Sequence, residues 1–542
     1  MKKNINIFVN ENDREIKYDS VESILKDESL HKLSELALKT SKNWFKDGEV
    51  SLIQKDGVDL GSLLQIKSFF IIERYLKLNE MLEIVMLNDC DINLLIKDMN
   101  DWNILSVISK RYGEDLNLKK CFSEYKLNNA KGIVKVLGLE YIMKFFTEKE
   151  PSDSFNNTAN VIIQEINNKS MISMMEILEN EMNSIEFTTI CFGSNMYKLA
   201  NNKSKTVIGN KSYLLEISRI NKKLKMVMGN EKIASHFNDL IQGDEYSLKW
   251  FENHFIKIMR SELIGLELYR KSLEDYFQDN NVKNILLPSD SHAISRLVCQ
   301  VAKKYNILTY VLQHGSIGEL AFTPIYADYF LAWGKQAEDY LVSKGESKDK
   351  IVIVGNVKYE ANKFYTNSSS KPFKMEKILW TINNVADDIN RNLFNVLEEV
   401  LEENGESTLI LKLHPGESNK DWFYDLVNHS DYASRITICD RTFNTLTLIE
   451  ESDLVVITQS TTGLESMMLK RPVCLYKDSR IPNIIPYEEF DSVIKFTNKE
   501  DFLNNLKRTD FNELYKNSDK LLESYMQPFK KDEFVKWFRK KH

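Results

Sequence analysis

The sequence predicts an α/β protein with two domains, each built on a parallel β-sheet, behind a largely helical N-terminal region. The chain has 542 residues, more than one hydrophobic core usually supports. From residue 284 onward, short apolar runs alternate with amphipathic stretches of helical period, the pattern of a parallel sheet covered by helices. A polar, serine-containing segment, residues 365–376, divides this alternating region and is the best candidate for a linker.

Composition and charge exclude several classes of protein. The net charge is −7, with 43% hydrophobic and 28% charged residues, so we expect a globular chain that does not bind a nucleic-acid backbone. The 6 cysteines show neither CxxC nor Cys/His spacing, which argues against a disulfide framework or a zinc site. The apolar run at the N-terminus is too short for a signal peptide, and no stretch reaches the roughly 18 apolar residues of a membrane span. The sequence therefore predicts a cytoplasmic protein.

The N-terminal half is dominated by helical periodicity. Apolar residues recur at i, i+3 or i+4 and i+7 across residues 20–45 and 60–84. Two short apolar runs, 83–87 and 187–192, are predicted as strands. A long amphipathic helix is predicted over 246–279.

The two alternating units contain the predicted strands of the two sheets. They are 284–288, 307–312, 328–334 and 350–356 in the first unit, and 377–382, 408–414, 435–439, 453–458 and 472–476 in the second. We expect an N-terminal domain over 1–365, helix-rich to residue 280 and with its clearest strands over 284–356, a C-terminal domain over 366–520, and a terminal helix over 521–542. Ligands bind at the carboxyl ends of parallel strands, so the residues that follow each strand are the candidates for chemistry.

His314 follows the predicted strand 307–312 and precedes Gly315. The glycine lets the backbone turn sharply and leaves room for a ligand. An imidazole at this point can accept a proton from a substrate hydroxyl near neutral pH. The alternative is a structural histidine that holds a neighbouring loop.

His414 is the last residue of the predicted strand 408–414, which belongs to the other domain. Pro415 fixes φ and stops further sheet pairing. A histidine here can hold a donor phosphate and stabilise the charge that develops on a leaving group. The alternative is that His-Pro is merely a turn.

The segment "TQSTTGLES" places hydroxyls at a predicted helix start. Ser460, Thr461 and Thr462 precede Gly463, and hydroxyls with free backbone N–H groups favour an anion. Glu465, in the first turns of the helix, is placed to accept hydrogen bonds from ribose hydroxyls. The alternative is a cluster of helix-capping residues, but capping needs one hydroxyl rather than three.

Weaker signals occur at other strand ends. Thr381 and Asn383 can contact donor phosphates or cap a helix. Asp290 is an alternative base, although an N-cap for the following helix is favoured. Asp89 and Asp91 form an Asp-x-Asp triplet of a kind that binds metals, but nothing nearby supports a metal site.

The C-terminal segment "MQPFKKDEFVKWFRKKH" combines basic and aromatic residues. One interpretation is a peripheral contact with the inner face of the cell membrane. The other is a terminal helix whose aromatic side chains dock on the body of the protein while its lysines stay solvated.

Taken together, "LQHGS", "AWG", "KIVIVGN", "LKLHP" and "TQSTTGLESMMLKRPV" resemble the GT-B-fold transferases of bacterial surface polysaccharides. The most similar groups are capsule-synthesis enzymes, polysialyltransferase-like enzymes and the CDP-glycerol glycerophosphotransferases of teichoic acid synthesis. The resemblance covers roughly 284–480. It implies two Rossmann-like domains facing a cleft, with a nucleotide-activated donor bound by the C-terminal domain.

The resemblance also implies roles for individual residues. His314 matches the candidate catalytic base, and His414 the histidine that contacts the donor phosphate. Ser460, Thr461 and Thr462 match the phosphate-binding cluster, and Glu465 the glutamate that holds the ribose. Some members use an Asp or Glu base instead. The implied chemistry needs no metal ion and no cofactor, since the nucleotide-sugar is itself a substrate.

The resemblance leaves four functions open. The first is a glycosyltransferase that moves a sugar, such as a CMP-linked acidic sugar, to a glycan or lipid-linked acceptor. The others are a CDP-glycerol glycerophosphotransferase, a UDP-sugar 2-epimerase, and a non-catalytic polysaccharide-assembly protein. Against the epimerase, the arginine- and glutamate-rich motifs expected of that family are not evident.

Overall fold

The computed structural model describes most of the chain in several stretches. They are residues 5–11, 14–18, 21–86, 92–96, 98–113, 116–120, 142, 160–164, 169–181, 187–191, 205–207, 216–360, 375–383, 385, 387–414, 420–440, 442–481 and 485–541. Most of the predicted linker 365–376, the triplet Asp89–Asp91 and Pro415 lie outside these stretches.

The N-terminal region combines a small sheet with helices. Its strands are β1 (Ile5–Glu11), β2 (Arg14–Tyr18), β3 (Lys46–Asp47), β4 (Val50–Ser51), β5 (Gln54–Lys55), β6 (Val58–Asp59), β7 (Ile92–Ile96) and β8 (Leu116–Lys120). Its helices are α1 (Asp27–Asn43), α2 (Leu60–Leu63), α3 (Gln65–Met86) and α4 (Met99–Ile108). Four strands form one sheet in the order β2-β1-β7-β8, and the remaining four form two short hairpins.

The first domain is built on a seven-stranded parallel sheet in the order β11-β10-β9-β12-β13-β14-β15. Its strands are β9 (Asn160–Gln164), β10 (Phe187–Cys191), β11 (Lys205–Val207), β12 (Asn284–Leu287), β13 (Leu308–Leu312), β14 (Tyr329–Ala332) and β15 (Ile351–Ile353). Its helices are α5 (Lys169–Glu181), α6 (Ile217–Met228), α7 (Glu231–Ile241), α8 (Glu245–Trp250), α9 (Ile256–Asp279), α10 (Ala293–Lys304), α11 (Glu319–Phe322) and α12 (Lys335–Ser343). A π-helical turn, Phe251–Phe255, joins α8 to α9, so the helix predicted over 246–279 is present as one continuous element.

The second domain is built on a six-stranded parallel sheet in the order β19-β18-β17-β20-β21-β22. Strand β16 (Asn356–Glu360) leads towards it, and its own strands are β17 (Lys377–Thr381), β18 (Thr408–Lys412), β19 (Ile436–Cys439), β20 (Leu454–Ile457), β21 (Val473–Tyr476) and β22 (Ile494–Phe496). Its helices are α13 (Asp387–Glu403), α14 (Lys420–Asn428), α15 (Thr445–Glu451), α16 (Thr462–Met468), α17 (Lys499–Arg508) and α18 (Phe511–Tyr525). The chain ends with β23 (Pro528–Phe529) and α19 (Lys531–Lys541). Single 3₁₀ turns occur at Val21–Ser23, Ser109–Tyr112, Lys348–Lys350, Ala433–Arg435 and Tyr487–Phe490.

The predicted fold class is confirmed. In each sheet the first strand of the domain lies at the centre and pairs with the fourth, which is the doubly wound, Rossmann-like order. Strands β12, β20 and β21 are buried along their whole length, as expected when helices cover both faces. Every strand predicted between 284 and 476 is present, with ends shifted by at most three residues.

Two expectations for the N-terminal half were wrong or incomplete. The run 83–87 is not a strand, because its described residues belong to α3, which continues to Met86. The helix-rich segment also supplies β9, β10 and β11 to the first parallel sheet, of which only β10 was predicted. The N-terminal region shares one continuous core with a face of this sheet, from Ile7 to Ile351. It is therefore packed onto the first domain rather than appended to it.

The C-terminal segment returns to the first domain. Gln527 donates its backbone N–H to Trp333 O (3.0 Å), and Gln527 O accepts from Asn356 N (2.8 Å). Strand β23 then pairs in parallel with β16. At Gly355, where φ is 84°, a Cβ atom would lie 2.1 Å from Pro528 O, so the glycine permits this close approach.

Helix α19 covers the face of the first sheet opposite the N-terminal core. Phe534, Val535 and Phe538 are buried there, and Phe538 packs against Tyr310 with a ring-centroid distance of 5.1 Å. The docking interpretation of the C-terminal aromatic residues therefore holds. Insertion of these rings into a membrane is incompatible with their burial. The exposed residues of α19 are all charged, and they include Asp532 and Glu533 beside the basic residues. Within the described part of the chain, no helix is both long and apolar enough to cross a bilayer.

Candidate active site

Gln313 fixes the loop that carries His314. This side chain is buried at the end of β13, where its Oε1 accepts from Trp333 N (2.7 Å) and its Nε2 donates to Gly315 O (3.0 Å). The amide thus ties the His314–Gly315 loop to the end of the neighbouring strand β14. Sequence reasoning missed Gln313, although a buried amide at a strand end needs partners for both of its polar atoms.

His314 sits in a partly buried position beside Phe322, with ring centroids 5.0 Å apart and nearly parallel planes. Its Nδ1 atom has no well-formed hydrogen bond to any described residue. The pKa of His314 is lowered to about 4, mainly because burial disfavours the charged ring and also because His292 lies nearby. The imidazole is therefore neutral at neutral pH, the state that a proton acceptor requires.

The lowered pKa of His314 makes a prediction about stability. An unfolded histidine titrates near 6.5, so between pH 6.5 and about 4 the unfolded chain binds more protons at this residue than the folded chain. Stability from His314 is complete above pH 6.5 and is lost as the pH falls. Between pH 7.5 and pH 5 we expect a loss of about 2 kcal/mol.

Denaturant unfolding of the wild type and of His314→Gln at these two pH values measures this loss. The variant should lose about 2 kcal/mol less than the wild type, while His429→Gln, at an exposed histidine, should follow the wild type. Equal pH dependence of the wild type and His314→Gln would contradict the burial of a neutral imidazole.

Gly315 has no heavy atom within 4 Å of the position that a Cβ would occupy, and its φ lies outside the left-handed region. The open space agrees with the predicted room for a ligand. The predicted sharp turn does not require glycine here.

Asp290 has a different role from the one predicted. Its carboxylate is buried and accepts backbone N–H groups from Tyr326 (2.8 Å) and Ala327 (3.2 Å). The N-cap position of α10 is occupied by His292, without a side-chain hydrogen bond, so the predicted N-cap role is wrong. Burial raises the pKa of Asp290, and the carboxylate holds the loop that follows α11.

In the second domain, the predicted residues lie at the carboxyl ends of three adjacent strands. His414 follows β18, Asn383 follows β17, and Ser460 follows β20, in the strand order β18-β17-β20. The side chain of His414 is exposed. The Nδ2 atom of Asn383 donates to the backbone oxygen of Gln459 and so bridges the ends of β17 and β20. This is the topological switch point of the sheet, where ligands of such folds bind.

Two buried residues lie side by side on this edge, Thr381, which was predicted as a site residue, and Lys412, which was not. Thr381 and Lys412 are register partners on β17 and β18, and each is 5% exposed. The hydroxyl of Thr381 has no hydrogen-bond partner among the described residues. The ammonium of Lys412 donates to Leu413 O (3.1 Å). Lys412 was read as an ordinary strand residue, although a charged residue within a buried strand is itself a signal of function.

The hydroxyl cluster is partly used by the protein itself. Thr462 N donates to Ser460 Oγ (3.2 Å), and Ser460 Oγ donates to Thr462 Oγ1 (3.0 Å). Thr461 occupies the N-cap position of α16 without a side-chain cap. One of the three hydroxyls, that of Ser460, therefore caps the start of α16. This agrees with the capping interpretation for a single hydroxyl.

Gly463 is needed for packing. A Cβ atom there would lie 2.5 Å from the hydroxyl oxygen of Tyr487 and 2.8 Å from Ile457 Cδ1. The Tyr487 hydroxyl donates to Ser460 O (2.5 Å) and therefore fixes the backbone of the hydroxyl cluster. The contribution of Gly463 to a donor site is thus indirect.

Glu465 contacts a tyrosine of the strand that joins the domains. The hydroxyl of Tyr359, on β16, donates to Glu465 Oε1 (2.5 Å). Burial, together with the charge of Glu465, raises the pKa of Tyr359, so the phenol stays protonated as the donor. Sequence reasoning missed Tyr359, because nothing local connects it to a residue more than 100 positions away.

A small pocket lies between the two domains. The first domain lines it with Gln313, Ser316, Ile317, Trp333 and Gln336, and the second with Leu464, Ile485 and Tyr525. These residues adjoin His314 on one side and the 460–465 segment on the other. The pocket therefore lies between the loop that carries His314 and the first turn of α16. The described residues contain no cluster of three or more potential metal ligands.

Comparison with known proteins gives one family match, over part of the second domain. The family model of capsule polysaccharide biosynthesis proteins matches residues 383–477. No curated protein matches the sequence.

Similar solved structures include S. aureus MnaA with UDP, at 15% identity and a TM-score of 0.45, covering 71% of this chain and 98% of that one. A UDP-GlcNAc 2-epimerase from Neisseria meningitidis bound to UDP-GlcNAc has 13% identity and a TM-score of 0.45, covering 70% and 99%. A glycosyltransferase from Rickettsia africae has 12% identity and a TM-score of 0.42, covering 71% and 99%.

Proposed function

We propose that the protein is a glycosyltransferase of surface-polysaccharide synthesis that uses a nucleotide-activated sugar. One observation carries the proposal. The segment that matches the capsule family, 383–477, contains Asn383, His414 and the 460–465 cluster, and these residues follow three adjacent strands at the carboxyl edge of one Rossmann-like sheet.

In this proposal the second domain holds the donor. The phosphate groups lie against the hydroxyls of Thr461 and Thr462 and against His414, and Ser460 orients Thr462 by donating to its Oγ1. The buried ammonium of Lys412, on the strand next to Thr381, supplies positive charge from within the sheet edge. Such preorganised donors stabilise the negative charge that grows on a departing nucleotide. Glu465 holds the ribose, and Tyr359 orients its carboxylate.

The first domain supplies the proton acceptor. The acceptor hydroxyl gives its proton to the neutral ring of His314 as its oxygen bonds to the anomeric carbon. The bond from that carbon to the phosphate oxygen breaks, and the nucleotide leaves with the electron pair. Closure of the cleft excludes water and so favours transfer over hydrolysis. The reaction requires no metal ion and no cofactor in this scheme.

A donor panel tests the proposal. The protein is incubated with CMP-, CDP- and UDP-activated donors, and nucleotide release and sugar products are followed by mass spectrometry. Release of nucleotide from a nucleotide-sugar supports the proposal, and release of CMP from CDP-glycerol would favour a glycerophosphotransferase. Isomerised UDP-sugar without release would identify an epimerase. If the panel produced no turnover and no nucleotide-dependent thermal shift, a non-catalytic assembly protein would be the remaining function.

A further inference from the structure

Helix α6 (Ile217–Met228) has an unusual charge for this chain. It carries Arg219, Lys222, Lys223 and Lys225 and no acidic residue, whereas the whole chain has a net charge of −7. The nearest preceding acid, Glu216, is occupied by an ion pair with Lys271 of α9. Four cations are therefore concentrated on one short helix of an acidic protein.

The inward side of α6 is fully used by the fold. Ile220, Leu224 and Met228 recur at every fourth position and are buried against the core that contains α9. This stripe fixes which residues point outward.

The outward side of α6 is centred on an exposed methionine. Met226 is 74% exposed, the largest exposure among the large hydrophobic side chains of the described residues. At about 100° per residue, Met226 lies nearly opposite the stripe defined by Leu224, with Lys222 and Arg219 one and two turns away on the same side. Val227, 36% exposed, adjoins it. The outward face of α6 therefore presents an exposed apolar side chain surrounded by positively charged ones.

We propose that this face of α6 docks on an anionic membrane surface. Cations near such a surface attract its headgroups, and an apolar side chain at the apex enters the boundary between headgroups and acyl chains. The net negative charge of the rest of the protein is repelled by the same surface, so docking has a defined orientation. An acidic glycan or a nucleic acid would engage the cations but would gain nothing from Met226.

Vesicle binding by the full chain tests the proposal. Vesicles of equal parts phosphatidylglycerol and phosphatidylcholine are compared with pure phosphatidylcholine by cosedimentation at low and high salt. The wild type should bind the anionic vesicles only, and high salt should release it. Lys222→Glu/Lys225→Glu should weaken binding roughly thirty-fold or more, and Met226→Ser roughly five-fold.

The matched control is Lys536→Glu/Lys540→Glu on α19, the other basic helix, whose aromatic residues are buried. It should bind as the wild type does, and all variants should release nucleotide from a soluble donor as the wild type does. Failure of the wild type to bind, or an effect of the α19 variant without one of α6, would overturn the proposal. Loss of binding with the charge reversals but not with Met226→Ser would show a purely electrostatic contact and would overturn the insertion of Met226.

Discussion

Replacing His314 by glutamine is expected to lower turnover by about 10²–10⁴-fold, with the Michaelis constant for the donor nearly unchanged. Glutamine retains a polar group of similar size beside Phe322 but cannot accept a proton at ordinary pH. The side chain lies in the first domain, away from the strand ends that are proposed to hold the donor. Steady-state kinetics with saturating acceptor measure both quantities.

The pH profile makes the same prediction sharper. Because the pKa of His314 is lowered to about 4, the acidic limb of kcat/KM should fall near that value rather than near 6.5. His292→Gln is the matched control, because His292 is exposed and its charge contributes to the lowering. This variant should keep its turnover while its acidic limb moves to higher pH. Full activity of His314→Gln, or an unchanged profile in His292→Gln, would remove His314 from the mechanism.

Replacing His414 by alanine is expected to raise the Michaelis constant for the donor and to lower turnover by about 10²–10³-fold. The imidazole is exposed at the end of β18, so its removal leaves no cavity in the core and the fold should persist. Nucleotide-dependent thermal shifts measure the loss of affinity separately from the loss of rate. A similar melting temperature without nucleotide shows that the variant is folded.

The control for His414 is His429→Ala, at another exposed histidine of the same domain, which caps the end of α14 through Asp425 O. It should retain the donor affinity and turnover of the wild type. If His414→Ala bound and turned over the donor normally, His414 would not contact the donor phosphate. The sheet edge around Lys412 and Thr381 would then be the candidate phosphate site.

The strands of both sheets between residues 284 and 476 could be predicted because they are short, apolar and bounded by turn residues. Strand β22 was not predicted. The same pattern placed His314 and His414 at strand ends. Strands β9 and β11 were missed because they lie among amphipathic helices, and their place in the sheet is set by pairing with β10 and β12. Residues 83–86 were misread because a β-branched apolar run fits either structure, and packing of α3 decides it.

The candidate site shows the same limit. Residue type and position after a strand were enough to select Asn383 and the 460–465 segment. The contacts of Glu465 with Tyr359 and of Asp290 with Tyr326 could not be predicted from the sequence, because each joins separate parts of the chain. Lys412 had one signal in the sequence, a charge within an otherwise apolar strand, and its burial became visible only in the structure.

The return of the C-terminal segment bears on the order in which the protein is made. Because β23 and α19 complete the first domain, the second domain is in effect an insertion within the first. All strands of the second sheet leave the ribosome before residues 528–541, which cover Tyr310 and pair with β16. We therefore expect the second domain to finish folding first during synthesis, contrary to the usual N-to-C order. Until residues 528–541 have left the ribosome, one apolar face of the nascent first domain remains uncovered, and a chaperone can bind there.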